Sequence, residues 1–125
     1  MPHHEIPMLA NLDCYLKPYR RRWGLTQKDL ALLLGFQTGA VVSRLERVLR
    51  HPTLETAYAV EIILGTPPAE LFPGLYERVR KQVIARVRQH YDELQGSPSK
   101  SNQLRLDFFE EIFSKWDDRL SAPHA

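Results

Sequence analysis

Between residues 17 and 50 the chain gathers the side chains best suited to holding a polyanion. Arg20, Arg21, Arg22, Lys28, Arg44, Arg47 and Arg50 bring positive charge, and Gln27, Gln37, Thr38 and Ser43 place neutral hydrogen-bonding groups among them. Arginine matters most, because its planar guanidinium donates two parallel bonds to a phosphate or to the paired acceptors of a guanine edge. With Lys17, residues 12–52 hold eight Lys and Arg against Asp13, Asp29 and Glu46. Residues 53–77 reverse the sign, with Glu55, Glu61, Glu70 and Glu77 and no basic residue. A basic field beside an acidic one turns one side of the molecule toward a polyanion, against the duller account of a solvated face with scattered charge.

Other chemistries find little support. No Ser/His/Asp or Cys/His grouping has supporting context and no glycine-rich loop occurs, so no enzymatic activity is expected. His3 and His4 have no partner at ligand spacing, so no metal and no cofactor is expected. Cys14, the one cysteine, cannot form an internal disulfide, reads as a small apolar filler, and suits a reducing compartment. The opening "MPHHEIPMLANLD" lacks the basic and apolar regions of a secretory signal, and the apolar runs are too short to span a membrane. A cytoplasmic protein is the resulting expectation.

At 125 residues and 43% hydrophobic content, the chain has material for one domain with an appendage. Strand alternation is absent and helix signals recur, so the expected class is all-α. Residues 14–23 form a first helix with Leu16, Tyr19 and Trp23 inward, ended by Gly24. Thr26 caps a second helix, with Asp29 three residues on in a near-capping box and Leu30, Ala31 and Leu34 as its buried stripe. Gly35 stops it in the C′ position. A third helix starts near Thr38 and turns Val41, Val42, Leu45 and Val48 or Leu49 inward. A fourth, from Leu54, carries Leu54, Ala57, Tyr58, Ile62 and Leu64, and a short fifth, "AELF", is stopped by Pro73-Gly74. The second and third helices with their tight turn fit the geometry in which one helix enters a major groove while its neighbour crosses the backbone.

Here the sequence resembles a known family. "GLTQKDLALLLG", "VSRLER" and "HPTLETAYAVEIILGTPPAELF" look like the Cro/C1-type (Xre-like) helix-turn-helix transcriptional regulators, over roughly residues 15–73. The resemblance implies a five-helix, lambda-repressor-like domain that binds double-stranded DNA. It implies base-edge contacts from Gln37, Thr38, Gly39, Ala40, Ser43 and Arg44, with Arg44 the foremost reader. It implies phosphate contacts from Arg20, Arg22, Gln27, Lys28, Arg47 and Arg50, and a structural role for Glu46. Two departures stand out. Gly35 and Leu45 are ten residues apart where most members have nine, and Val48 replaces the usual glycine, which predicts a longer third helix. Gly39 and Ala40 occupy positions where many relatives keep long polar readers; two small residues would let the backbone approach the duplex, or let Ala40 touch a thymine methyl. Competing accounts pair Arg44 with Glu61, or leave Gln27 as no more than a cap for its own helix.

Beyond residue 74 the character changes. Residues 75–95 place Leu75, Val79, Val83, Val87 and Tyr91 at intervals of four, predicting one long helix. "GSPSKSN" is a polar linker, and residues 103–120 predict a last helix with Phe109, Ile112, Phe113, Trp116 and Leu120 on one face. Left bare, that face would be an aggregation-prone patch. The expected organisation is therefore a segment 1–13, a helix-turn-helix domain 14–74, a two-helix C-terminal hairpin 75–120 and a tail 121–125. The hairpin is expected to form a homodimer, making a sequence-dependent regulator, a repressor by default. The alternative is an antitoxin-type or adaptor protein whose C-terminal helices bind a protein partner.

Overall fold

A computed structural model describes residues 13–97 and 99–116, and among these every regular element is a helix. They are α1 (Leu16–Arg22), α2 (Gln27–Leu33), α3 (Ala40–Glu46), α4 (Leu54–Leu64), α5 (Pro68–Leu71), α6 (Pro73–Leu94) and α7 (Lys100–Trp116). The chain divides into two compact units, one ending at Tyr76 and the other starting at Glu77. None of these helices is long and apolar enough to cross a membrane.

In the first unit, Leu16, Leu30, Ala31, Val42, Leu45, Val60 and Leu71 are almost wholly enclosed, so α1 to α5 share one core. Local chemistry fixes the ends of these helices. Thr26 Oγ1 accepts the Asp29 N–H at 3.0 Å while the Asp29 carboxylate accepts the Thr26 N–H at 2.9 Å, a reciprocal capping box. The Thr26 N–H, and after it the Thr26 hydroxyl, hold the Asp29 carboxyl below its ordinary pKa. At the other end of α2, Gly35 adopts φ +92°, the Gly35 N–H bonds to the Leu32 carbonyl and the Phe36 N–H to that of Ala31, a Schellman close.

Four expectations need correcting. First, α3 does not run on through Val48. The Val48 N–H bonds to the Leu45 carbonyl and the Leu49 N–H to that of Arg44, the same Schellman close, with valine in the left-handed conformation at φ +56°. A β-branched residue resists that conformation, but Val48 is only 4% exposed, and its burial offsets the strain. Second, α3 begins at Ala40 rather than near Thr38, whose hydroxyl instead accepts the Ala40 N–H at 3.3 Å. Third, α4 buries Ala57, Val60 and Leu64 and leaves Leu54, Tyr58 and Ile62 exposed; Trp23 is likewise 68% exposed. Apolar residues surround α4, so periodicity alone does not choose its face. Fourth, Pro73-Gly74 does not separate α5 from the long helix but opens it, in the first-turn position where proline loses no hydrogen bond.

The second unit is an antiparallel pair. The Tyr91 and Phe113 rings meet edge to face at 5.4 Å, His90 lies against Phe109 at 5.7 Å, and the Tyr91 hydroxyl donates to Glu110 at 2.6 Å. That last bond raises the Tyr91 pKa. Arg88 lies over the Phe113 ring at 4.1 Å, and Arg80 reaches the Trp116 carbonyl. Ser99 caps α7 by accepting the Asn102 N–H at 3.1 Å, so the last helix starts earlier than its apolar pattern suggests. The fully buried apolar residues are Ile84 and Phe113, not the four-spaced valine stripe. Steps of four advance about 40° beyond each full turn at 100° per residue, so that stripe winds round the helix. Leu75 accordingly packs on the core of the first unit, while Val79 and Val83 are exposed.

Two expected outcomes test these close-ups. Val48→Gly and Val48→Ala both lose buried side chain, but only glycine relieves the left-handed strain of about 1 kcal/mol. Urea unfolding is therefore expected to find the glycine variant at least as stable as the alanine variant, the reverse of the order in a helix interior. The Asp29 carboxyl has a lowered pKa in the fold, so its contribution is complete above the ordinary aspartate range and is lost as pH falls through the folded value. The stability advantage of wild type over Asp29→Ala should then shrink on acidification; an advantage independent of pH would contradict the capping box.

Candidate nucleic-acid interface

The α2–turn–α3 unit is held by one buried polar cluster. Arg20 of α1 donates through Nε to Glu46 Oε2 at 2.6 Å and through Nη2 to Oε1 at 3.3 Å, while its Nη1 donates to the Leu25 carbonyl at 2.7 Å. The Gln27 amide donates to Glu46 Oε1 at 3.0 Å. The side chains of Arg20 and Glu46 are 7% and 4% exposed. The last residue of α3 is thus tied to α1 and to the first residue of α2. The structure sets Arg20 against the expected phosphate contact: its side chain is 7% exposed, and three of its N–H groups bond to Glu46 and to the Leu25 carbonyl. Gln27 keeps one amide hydrogen beyond its bond to Glu46.

Gly39 has a packing role in the fold. A Cβ there would lie 3.2 Å from Gln27 Cβ, 3.2 Å from the Lys28 nitrogen and 3.3 Å from the Gln27 carbonyl carbon. The absent side chain points at the first turn of α2, so this glycine permits helix-on-helix approach. The turn from Gly35 to Gly39 is seated by Phe36, which packs on the core, while Gln37 and Thr38 are exposed.

What remains forms a coherent outer face. Ala40, Ser43, Arg44 and Arg47 recur at three- and four-residue intervals on the side of α3 away from Val42 and Leu45. Arg44 is exposed and its side chain makes no hydrogen bond or ion pair with another described residue, so the Glu61 pairing is not formed. Arg47 Nε reaches the Ser43 carbonyl at 3.4 Å, and the Arg50 guanidinium stands 5.8 Å from the Phe36 ring centre. Around the start of α2, Arg20, Arg21, Thr26, Gln27 and Lys28 line a shallow open depression. Arg22 lies outside that lining, over the Tyr19 ring at 4.8 Å. Arg21, part of the basic group in the sequence but not among the assigned phosphate contacts, is exposed here. Burial of Arg20 is what distinguishes the three consecutive arginines, and nothing in their order signals which one turns inward. Cys14 sits in the core margin, its Sγ 3.7 Å from the Leu45 carbonyl, with burial raising its pKa. Of the expected partner-contact residues, Phe113 is buried, Phe109 and Ile112 are half-buried, Trp116 is exposed, and Leu120 lies outside the described residues.

Residues 16–71 match the helix-turn-helix family, a span that takes in α1 to α5. This domain is a helix-turn-helix of the Cro/C1 type. The match supports DNA binding by this domain in general. No curated protein and no solved structure matches the chain. The match begins and ends within the first unit, so the α6–α7 pair is additional to the family domain.

The buried cluster makes a direct prediction. Glu46→Ala leaves the Arg20 guanidinium enclosed without its counter-charge, and breaking a buried pair in this way costs about 3–5 kcal/mol. Chemical denaturation should show a loss of that order and DNA affinity should fall with it. A variant as stable as wild type would mean that the cluster does not hold the helix-turn-helix together.

Proposed function

We propose that the protein is a sequence-dependent transcriptional repressor that seats α3 in the major groove and acts as a homodimer. The observation that carries this reading is Arg44, solvent-facing and unpaired within the described protein, at the middle of the outer face of α3. A guanidinium so placed is suited to the O6 and N7 acceptors of a guanine. Ser43 lies beside it, Ala40 offers a methyl to thymine, and Gln37 and Thr38 stand at the exposed turn. Lys28, Arg47 and Arg50, with Arg21, Arg22 and the spare Gln27 hydrogen, surround this centre as phosphate ligands. Ala40 and Ser43 beside Arg44 are short, so DNA shape and phosphate contact carry much of the affinity.

A single α3 reads one half-site, whereas a two-fold dimer engages two half-sites about one helical turn apart. Occupying such an operator excludes other proteins from it, which is repression in its simplest form. A pure adaptor role would give Arg44 and Lys28 no counterpart.

Binding to duplex DNA should weaken with salt by a log–log slope near −0.9 per phosphate contacted. Arg44→Ala is expected to relax preference at one base pair by about 1–3 kcal/mol, whereas Lys28→Ala should weaken all duplexes alike and reduce the salt slope by about one. A flat salt response, or an Arg44→Ala variant unchanged in both affinity and preference, would refute this assignment.

A further inference from the structure

The helical pair formed by α6 and α7 has one polar side and one apolar side. Ile84 and Phe113 point across the seam between the helices. Counting 100° per residue from them, Val79 and Val83 fall on one flank of α6, and Phe108 and Ile112 on the like-signed flank of α7. Antiparallel helices turn like-signed flanks the same way, so these residues share a surface. The His90–Phe109 contact, which joins the edges of those two flanks, is an independent sign of this. Val79, Val83 and Phe108 are 45%, 42% and 57% exposed, and Leu104 and Trp116 extend the apolar area along α7. The opposite side carries Gln82, Gln89, Asp107 and Ser114. The pair itself fully encloses few apolar side chains, and chains of this size ordinarily need a partner, a metal or a disulfide to complete a core.

Charge identifies the occupant. The ring contacts set His90 level with Phe109, so Arg86 stands within a turn of the height of Glu111, and Glu93 within a turn of the height of Arg105. A two-fold axis running along the pair lays α6 of one copy on α7 of the other. It brings Arg86 beside Glu111 of the partner subunit and Arg105 beside Glu93 of the partner subunit, each contact occurring twice. The surface is thus complementary to itself, as an isologous interface requires. We infer that this flank is covered by a second copy of the same chain, completing a four-helix bundle centred on Val79, Val83, Phe108 and Ile112. The inference deepens the dimeric reading above and rests on it.

The test uses the full chain without DNA, followed by light scattering and sedimentation equilibrium at micromolar concentration. Wild type is expected to be a dimer. Val83→Glu and Phe108→Glu should each yield a monomer that retains its helical circular dichroism. Arg86→Glu should weaken association about tenfold, and adding Glu111→Arg should restore it. A monomeric wild type, a dimeric Val83→Glu, or a double charge reversal no tighter than Arg86→Glu alone would overturn the interface. Binding of the Val83→Glu monomer to a duplex with a single half-site is measured separately. Failure of groove reading would appear there, and failure of the interface only in the association state.

Discussion

The carboxylate of Glu46 is the point on which the DNA-facing unit depends. It lies at the last turn of α3 and accepts bonds from Arg20 on α1 and Gln27 at the start of α2. Apolar packing of Leu30, Ala31, Val42 and Leu45 brings the helices together, but packing is non-directional and tolerates rotation of one helix on another. Charge-assisted bonds of defined geometry do not. They set the rotation of α3 about its axis, and so which residues face outward. With Val42 and Leu45 enclosed and Glu46 tied back, Arg44 has nowhere to go but out.

Two backbone features complete the positioning. At Gly39 the missing side chain lets the start of α3 rest on the first turn of α2, so the one-residue-longer turn ends in a contact and not in a gap. At Val48 the Schellman close forms around a residue poorly suited to it. The hydrogen-bond pattern at a helix end and the burial of a valine side chain are together worth more than the local preference for glycine. Both cases show tertiary contact overriding intrinsic propensity, and in both the result is a short, rigid α3 whose outer face is set by its neighbours.

The α6–α7 pair shows the opposite balance. Its local structure is strong, with a Ser99 cap, an aromatic seam and an arginine over Phe113. Its tertiary burial is thin, and much of its apolar surface lies on one flank. The first unit also leaves large apolar side chains exposed, Trp23, Leu54 and Ile62 among them, but it encloses a contiguous core that the second lacks.

The all-α class, the helix-turn-helix, the capping box at Thr26 and the inward-facing Leu30, Ala31, Val42 and Leu45 were legible in the sequence because each rests on short-range chemistry: a cap needs particular residues three positions apart, and the capped end and the glycine stop fix where a short helix begins and ends. The inward face of α4, the end of α3 at Val48, the winding of the four-spaced stripe on α6 and the fate of each arginine between 20 and 22 were not. A helix that is apolar all round gives periodicity nothing to choose by. Three consecutive guanidiniums differ only in the direction each leaves the helix, and a direction has meaning only once a neighbour stands there. Sequence alone thus determined which elements form and that one stretch of the chain is basic. The placement of Glu46 opposite Arg20 decided which cation is structural and which are free, because a residue 26 positions away in the chain supplies the counter-charge only after folding brings it there.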